Sequence, residues 1–296
     1  MTVSNRGPRG IPGPMVAGYF DYHRIPNVDP QGAWASQTFT ASGIFVAPTN
    51  GVFLNKNRKI DCYVTAIAGG GPGGNGVTGI TDNESKSPQG GQSGYWTRRY
   101  KISLYPGEQV AVTIPGTTSH GSNGGSLVFG SYLTLSGGLA GADGQNSAPT
   151  NVGKLNPVSG GGSLSSGTVV GENAVFTGTY GGSGEDTLLF NDSAATGGWA
   201  IVPASAGQDN LTLGLGFGGR VNAQLNAGRS PQQGGGGGGG LFGKGGDGAQ
   251  NGTLPAATSP DANSGGGGGG GCTYSSTVNG TAGAAGQLLV EWRIPA

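Results

Sequence analysis

Glu185 and Asp186 are the only adjacent carboxylates in the chain. A carboxylate pair can cut a glycosidic bond, one group protonating the leaving oxygen and the other acting as base or nucleophile. Those groups must face each other across the bond, a demand that a single adjacent pair does not meet. His23 and His120 stand apart, neither with a companion ligand nearby, and Cys62 and Cys272 form no CxxC or Cys/His metal spacing. No GxSxG, HExxH or P-loop occurs. GDGAQNG (residues 246–252) spaces its glycines as a phosphate loop does, but it follows no strand-like run. The expectation is therefore no enzyme, no cofactor, and no catalytic or metal-binding residue.

Binding is the remaining chemistry. Arg98, Arg99 and Lys101 form one small basic cluster that nothing extends, whereas a nucleic-acid binder carries a basic stripe. The cluster reads as a solvated strand face. No apolar stretch approaches the ~20 residues of a membrane span, so no membrane insertion is expected. The opening MTVSNRGPRG lacks the apolar core of a signal peptide, which points to folding in a cytosol.

The elements that would position a binding surface are unusual. Glycine supplies 67 of 296 residues, against a usual ~7%. Hydrophobic residues are 34%, charged residues 10%, and the formal net charge is zero. Disordered chains of low hydrophobicity carry high net charge, so this composition fits neither a disordered chain nor an ordinary globule. Seven consecutive glycines occur twice, at 234–240 and 265–271. A helix or strand interior would not tolerate glycine at this density. Extended runs can adopt polyproline-II geometry, and several packed side by side can hydrogen-bond through their backbones.

Strand signals frame the glycine. QTFTASGIFVAPTNGVFLN reads as two short strands, and RKIDCYVTAIA alternates and is β-branched. YWTRRYKISLYPGEQVAVTI is a strand, a Pro-Gly turn and a strand; SLVFGSYLTLSGG is a strand pair; QLLVEWRIPA is a terminal strand. Cys62 reads as a buried free thiol. The expected fold is mostly β, a small antiparallel β-sandwich anchoring a bundle of polyglycine-II helices, with no α-helix. Its parts are an N-terminal attachment arm (1–36), the sandwich (37–136 plus 287–296) and the glycine bundle with variable loops (137–286). Within the arm, GPRGIPGPM (residues 7–15) makes three Gly-X-Y triplets. That stretch reads either as one extended polyproline-II arm or as a short trimeric coupling element.

The chain leaves the strand segment near Ser136 and returns at Gln287, so the glycine crossings between them should be even in number. Taking 234–246 as one crossing, and counting short ones at 160–162 and 197–198, gives eight crossings. Loops 145–159, 185–196, 220–233 and 272–279, with loop 77–89, then lie at the end remote from the strands.

The order TFTASGIFVAP, VTAIAGGGPGGNG, YPGEQVAVTI, SLVFGSYLTLSGG and GQLLVEW resembles the glycine-rich domain of bacteriophage tail-fibre proteins over residues 37–296. The glycine-rich half is similar to the tip adhesins of T-even-like phages, whose stacked polyglycine-II helices carry receptor-contacting loops. The resemblance implies a receptor-binding protein in the virion, at a tail fibre or tail tip, made in the host cytoplasm. Its partners would be a host bacterial surface receptor, either polysaccharide or outer-membrane protein, and other tail-fibre or baseplate proteins through residues 1–36. A homotrimer and a single copy on a trimeric fibre both stay open. Loops held by a rigid scaffold carry binding residues, and aromatic and arginine side chains anchor best. The candidates are Phe190, Asn191, Arg220, Arg229 and Tyr274, with Asn83 and Asn151 as partners for sugar hydroxyls. Other readings are a fibre-to-baseplate connector without receptor contact, an ice-binding protein, and a polysaccharide depolymerase.

Overall fold

The computed structural model describes residues 33–50, 59–76, 85–86, 88–146, 173–178, 181, 186–190, 198–202, 234–249, 256–271 and 278–294. These contain strands and no helix. In chain order the strands are β1 (Trp34–Phe39), β2 (Gly43–Val46), β3 (Ile60–Ile67), β4 (Ser85–Lys86), β5 (Trp96–Leu104), β6 (Gln109–Thr113), β7 (Leu127–Phe129), β8 (Leu133–Leu135), β9 (Gln145–Asn146), β10 (Val175–Phe176), β11 (Asp186–Phe190), β12 (Gly198–Val202) and β13 (Gln287–Arg293). They form three sheets, of order β1-β13-β3-β5-β10, β2-β6-β7-β8 and β12-β11-β4-β9. Their pairings are antiparallel.

The first two sheets face each other over one core. Alternation decides which side chains enter it, because successive residues of a strand point to opposite faces. Val110 and Val112 of β6, Leu127 and Phe129 of β7, and Leu133 and Leu135 of β8 point inward from one sheet. Cys62 and Val64 of β3, Ile102 and Leu104 of β5, and Leu288 and Val290 of β13 meet them from the other. The Tyr105–Glu108 turn joins β5 to β6. Gly107 sits there at φ +75° and the Glu108 N–H donates to the Tyr105 carbonyl at 3.0 Å. Proline followed by a residue with positive φ is the type II signature, which glycine meets without strain.

Every strand expected between Gln37 and Leu135, and the terminal one, is present. β1 begins at Trp34, inside the stretch expected as the attachment arm, and pairs Trp34 with Arg293. Strands also occur where glycine dominates: β9, β10, β11 and β12 lie between residues 137 and 286. Their apolar runs, such as TLLF and WAIV, are too short and too closely flanked by glycine to stand out as strands.

Cys62 is a buried free thiol. Burial, assisted by the negative charges of Asp61 and Glu108, raises its pKa from 9.0 to about 12. Only the thiolate attacks an alkylating agent, so in a Cys272→Ser background iodoacetamide at pH 8 should modify Cys62 upon unfolding and not before. The same shift makes a pH prediction. The unfolded thiol ionises from about pH 9 while the folded one keeps its proton to about pH 12. Stability is thus full below pH 9 and falls across that window, by up to ~1.4 kcal/mol per pH unit. Chemical denaturation at pH 8 and pH 10.5 should show a smaller loss in Cys62→Ala than in the parent.

Candidate functional site

Beyond the sandwich the chain runs back and forth in extended segments. Residues 68–76 leave β3, and 88–95 return to β5. The N–H groups of Ala68, Gly71 and Gly74 donate to the carbonyls of Tyr95, Gln92 and Gln89. The donors advance by three while the acceptors retreat by three, so the two segments run antiparallel with a three-residue repeat. Gly70, Gly73 and Gly76 donate in the same way to Ala284, Thr281 and Val278. On another side Gly138, Gly141 and Gly144 donate to Gly69, Pro72 and Asn75, which makes 136–144 parallel to 68–76. Pro72 fits this segment because it is used there as an acceptor and has no N–H to place.

The run Gly265–Gly271 is the innermost segment. Gly268 and Gly271 donate to Gly71 and Gly74, and Gly267 and Gly270 donate to Gly238 and Gly235. Gly265 donates to Ala285, and the run's own carbonyls accept from Gly91 and Gly94, from Gly246 and Ala249, and from Thr281 and Ala284. Five other segments thus surround it, and Ser264–Gly271 are buried throughout. Side chains are excluded by space. A Cβ on Gly70 or Gly73 would lie under 3.0 Å from the Gly266 or Gly269 carbonyl oxygen, and one on Gly71 or Gly74 would strike the Leu139 or Ala142 oxygen.

The crossing count needs correction. Residues 234–246 are not one crossing. Gly234, Gly237 and Gly240 donate to Ala249, Gly246 and Gly243, so 234–249 is a hairpin turning at Leu241–Gly243. Residues 256–261 add a further crossing, where Thr258 and Asp261 donate to Asp247 and Lys244. Gly198 is not in a crossing but opens β12. The LFGK interruption was legible in the sequence, but its buried role was not. Leu241 is a plug 1% exposed against Ile67 and Trp96, which forces the chain to reverse at the sandwich surface. Gly271 and Val278 both stand at the far end, beside Gly74 and Gly76.

That far end is knitted together. β4 continues outward from the 88–95 segment, β9 continues from 136–144, and both pair in the sheet that contains β11 and β12. Three stretches from the expected remote loops, β4, β9 and β11, therefore share one sheet with β12. Close by, the Asp143 carboxylate accepts from the Asn75 N–H at 2.8 Å and meets His120 Nε2 at 2.7 Å, while Asn75 Oδ1 accepts from Gly280 at 3.0 Å. His120 thus has a structural partner. Among the described residues no group of three His, Cys, Asp or Glu is arranged to hold a metal ion.

Phe190 is the last residue of β11 in this sheet. Asn83, Asn151, Asn191, Arg220, Arg229 and Tyr274 lie outside the described residues, as do residues 1–32 with the Gly-X-Y stretch. The structure brings their described neighbours together: Gly234, Gly271 and Val278 share the far level with β4 and β9. The basic cluster reads differently in three dimensions. Arg99 is not a plain solvated side chain, for its guanidinium lies 4.7 Å from the ring centroids of both Trp34 and Tyr63. No sequence pattern signals that cluster, which comes from three separate strands.

A family model described as a glycine-rich domain matches residues 49–293. No curated protein matches the chain.

Proposed function

We propose that this chain, which belongs to the glycine-rich domain family, is the receptor-binding tip of a phage tail, built on a polyglycine-II bundle. The observation that carries the bundle is the three-residue repeat of hydrogen bonds around Gly265–Gly271. Polyproline-II geometry has three residues per turn, which turns every third N–H to the same neighbour. Seven such residues span about 22 Å at ~3.1 Å each, enough to hold the far-end sheet well clear of the sandwich. A rod made of backbone alone offers few side chains for recognition, so contact with a receptor falls to the loops at its end. Segments bounded by Gly234, Gly271, Val278, β4 and β9 reach that end.

In this reading the protein works in the virion without catalysis. Its loops bind a host surface polysaccharide or outer-membrane protein, and residues 1–36 hold it to other tail proteins. Arg220, Arg229 and Tyr274 are the anchors to test. Purified wild-type chain should adsorb to cells of the host bacterium, and the Arg220→Ala/Arg229→Ala/Tyr274→Ala variant should adsorb at least ten-fold more weakly. A tenfold change is ~1.4 kcal/mol, less than two hot-spot side chains contribute. Equal adsorption of the two proteins removes these residues from the site. No adsorption by the wild type favours a structural connector.

A further inference from the structure

The outward face of β1-β13-β3-β5 carries a preorganised arginine. β5 has a bulge opposite Thr65, where the pairing slips between Val64 and Ala66. Arg99 occupies the bulge at φ +51°, and its N–H is fixed by Thr65 Oγ1 at 3.1 Å. A non-glycine residue in this region is strained, and the surroundings must over-determine it. Bulges commonly re-aim a side chain. Here the bulge sends the guanidinium onto Trp34 and Tyr63, 4.7 Å from each centroid, with the rings edge-on at 5.6 Å. Arg293 covers Trp34 at 4.4 Å from the adjoining strand.

Among the described residues the guanidinium makes no close ion pair. Its nearest carboxylate, Glu291, lies at 3.8 Å, beyond hydrogen-bond reach, and the Arg99 side chain is 44% exposed. Asp61, a second carboxylate on this face, is taken by Lys101 at 3.1 Å and Ser103 at 2.6 Å. Trp34 remains 41% exposed. The face also lies where β1 begins and β13 ends, since the Ile294 N–H donates to the Ala33 carbonyl at 2.9 Å.

We infer that this face docks the virion protein that carries the chain, and that the partner contributes a carboxylate side chain to the stacked Arg99 guanidinium. The inference rests on the tail-tip reading for the kind of partner. Chemically, an arginine pinned against two rings presents two parallel N–H donors in the geometry of a carboxylate, without the ordering cost that a loose side chain meets. The sandwich side of the molecule thereby serves attachment, and the far end is left for the host.

The test mixes full-length chain with tail particles assembled without it and measures co-sedimentation, with cell adsorption and unfolding midpoint measured on the same samples. Arg99→Asn is the informative variant, because asparagine tolerates positive φ and keeps the bulge while removing the guanidinium. Arg99→Lys keeps the charge and removes the fork. Both should co-sediment at least ten-fold less than wild type, with the unfolding midpoint and cell adsorption retained. Wild-type co-sedimentation by Arg99→Asn overturns the inference. So does a lowered midpoint with co-sedimentation intact, which would mean that the face is covered by the chain's own arm. Wild-type chain that adsorbs to cells but not to particles overturns docking and leaves the tip reading; a chain that loads particles and ignores cells does the reverse.

Discussion

Gly73→Ala should lower the unfolding midpoint by roughly 6–12 °C, whereas Gly116→Ala should change it by no more than about 2 °C. The two substitutions add the same methyl group. At Gly116 nothing lies within 4 Å of the new Cβ. At Gly73 the Cβ would be driven into the Gly269 carbonyl, with its oxygen and carbon both under 3.0 Å away and the Gly270 nitrogen at 2.7 Å. Overpacking in side-chain cores costs ~1–3 kcal/mol because rotamers can yield. Backbone cannot yield in that way, so Gly73 belongs at the top of that range. The displaced oxygen is also the acceptor for Thr281, while Gly73 itself donates to Thr281. Moving it opens the hydrogen bonds that join Thr281 to the central run and to the 68–76 segment. Scanning calorimetry on both variants checks the expectation. Equal midpoints would mean that the segments are loosely associated and that glycine is present there for some reason other than space.

The sandwich was legible because its strands obey alternation. QVAVT buries Val110 and Val112 and exposes the residues between them, and a period of two needs no tertiary information to be seen. The glycine runs were legible as extended segments, but their path was not. A run of glycine has no face, so nothing in GGGGGGG tells which way it travels or which neighbours it takes. Only its bounding residues carry that information, and they were read unevenly. Leu241 looked like an interruption because one buried leucine has no periodicity. Thr258 and Asp261 gave no glycine signal at all, yet their crossing is held by side chains: Thr258 Oγ1 accepts from Asp247, and Asp261 Oδ2 accepts from Lys244. The Arg99 platform was invisible for a different reason. A bulge shifts the parity of β5, so Trp96 shares the outward face with Ile67 while Tyr100 packs on the core, and simple alternation through TRRYK assigns the wrong sides.

Leu241→Ala should cost about 2–5 kcal/mol and release the glycine hairpin before the sandwich. Leu241 is 1% exposed and joins Ile67 and Trp96 in a small second core, flanked by Phe176 and Phe242 and separate from the main one. The other large apolar side chain at the turn, Phe242, is only partly buried, and each backbone hydrogen bond nets only ~1 kcal/mol. Burial of one leucine, worth about 1.5–3 kcal/mol, is thus comparable with several of the hydrogen bonds that hold residues 234–240. Amide hydrogen exchange separates local from global loss. In Leu241→Ala the amides of Gly237, Gly240 and Gly246 should exchange much faster, while those of Leu288 and Val290 in β13 keep most of their protection. Leu241→Met conserves volume and should cost less than ~1.5 kcal/mol. If the β13 amides lose protection in step with the hairpin, the two cores unfold as one unit. Because Gly235 and Gly238 accept from Gly270 and Gly267, freeing the hairpin also uncovers one side of the central run. The turn that rests on the sandwich therefore controls how firmly the rod holds its far end.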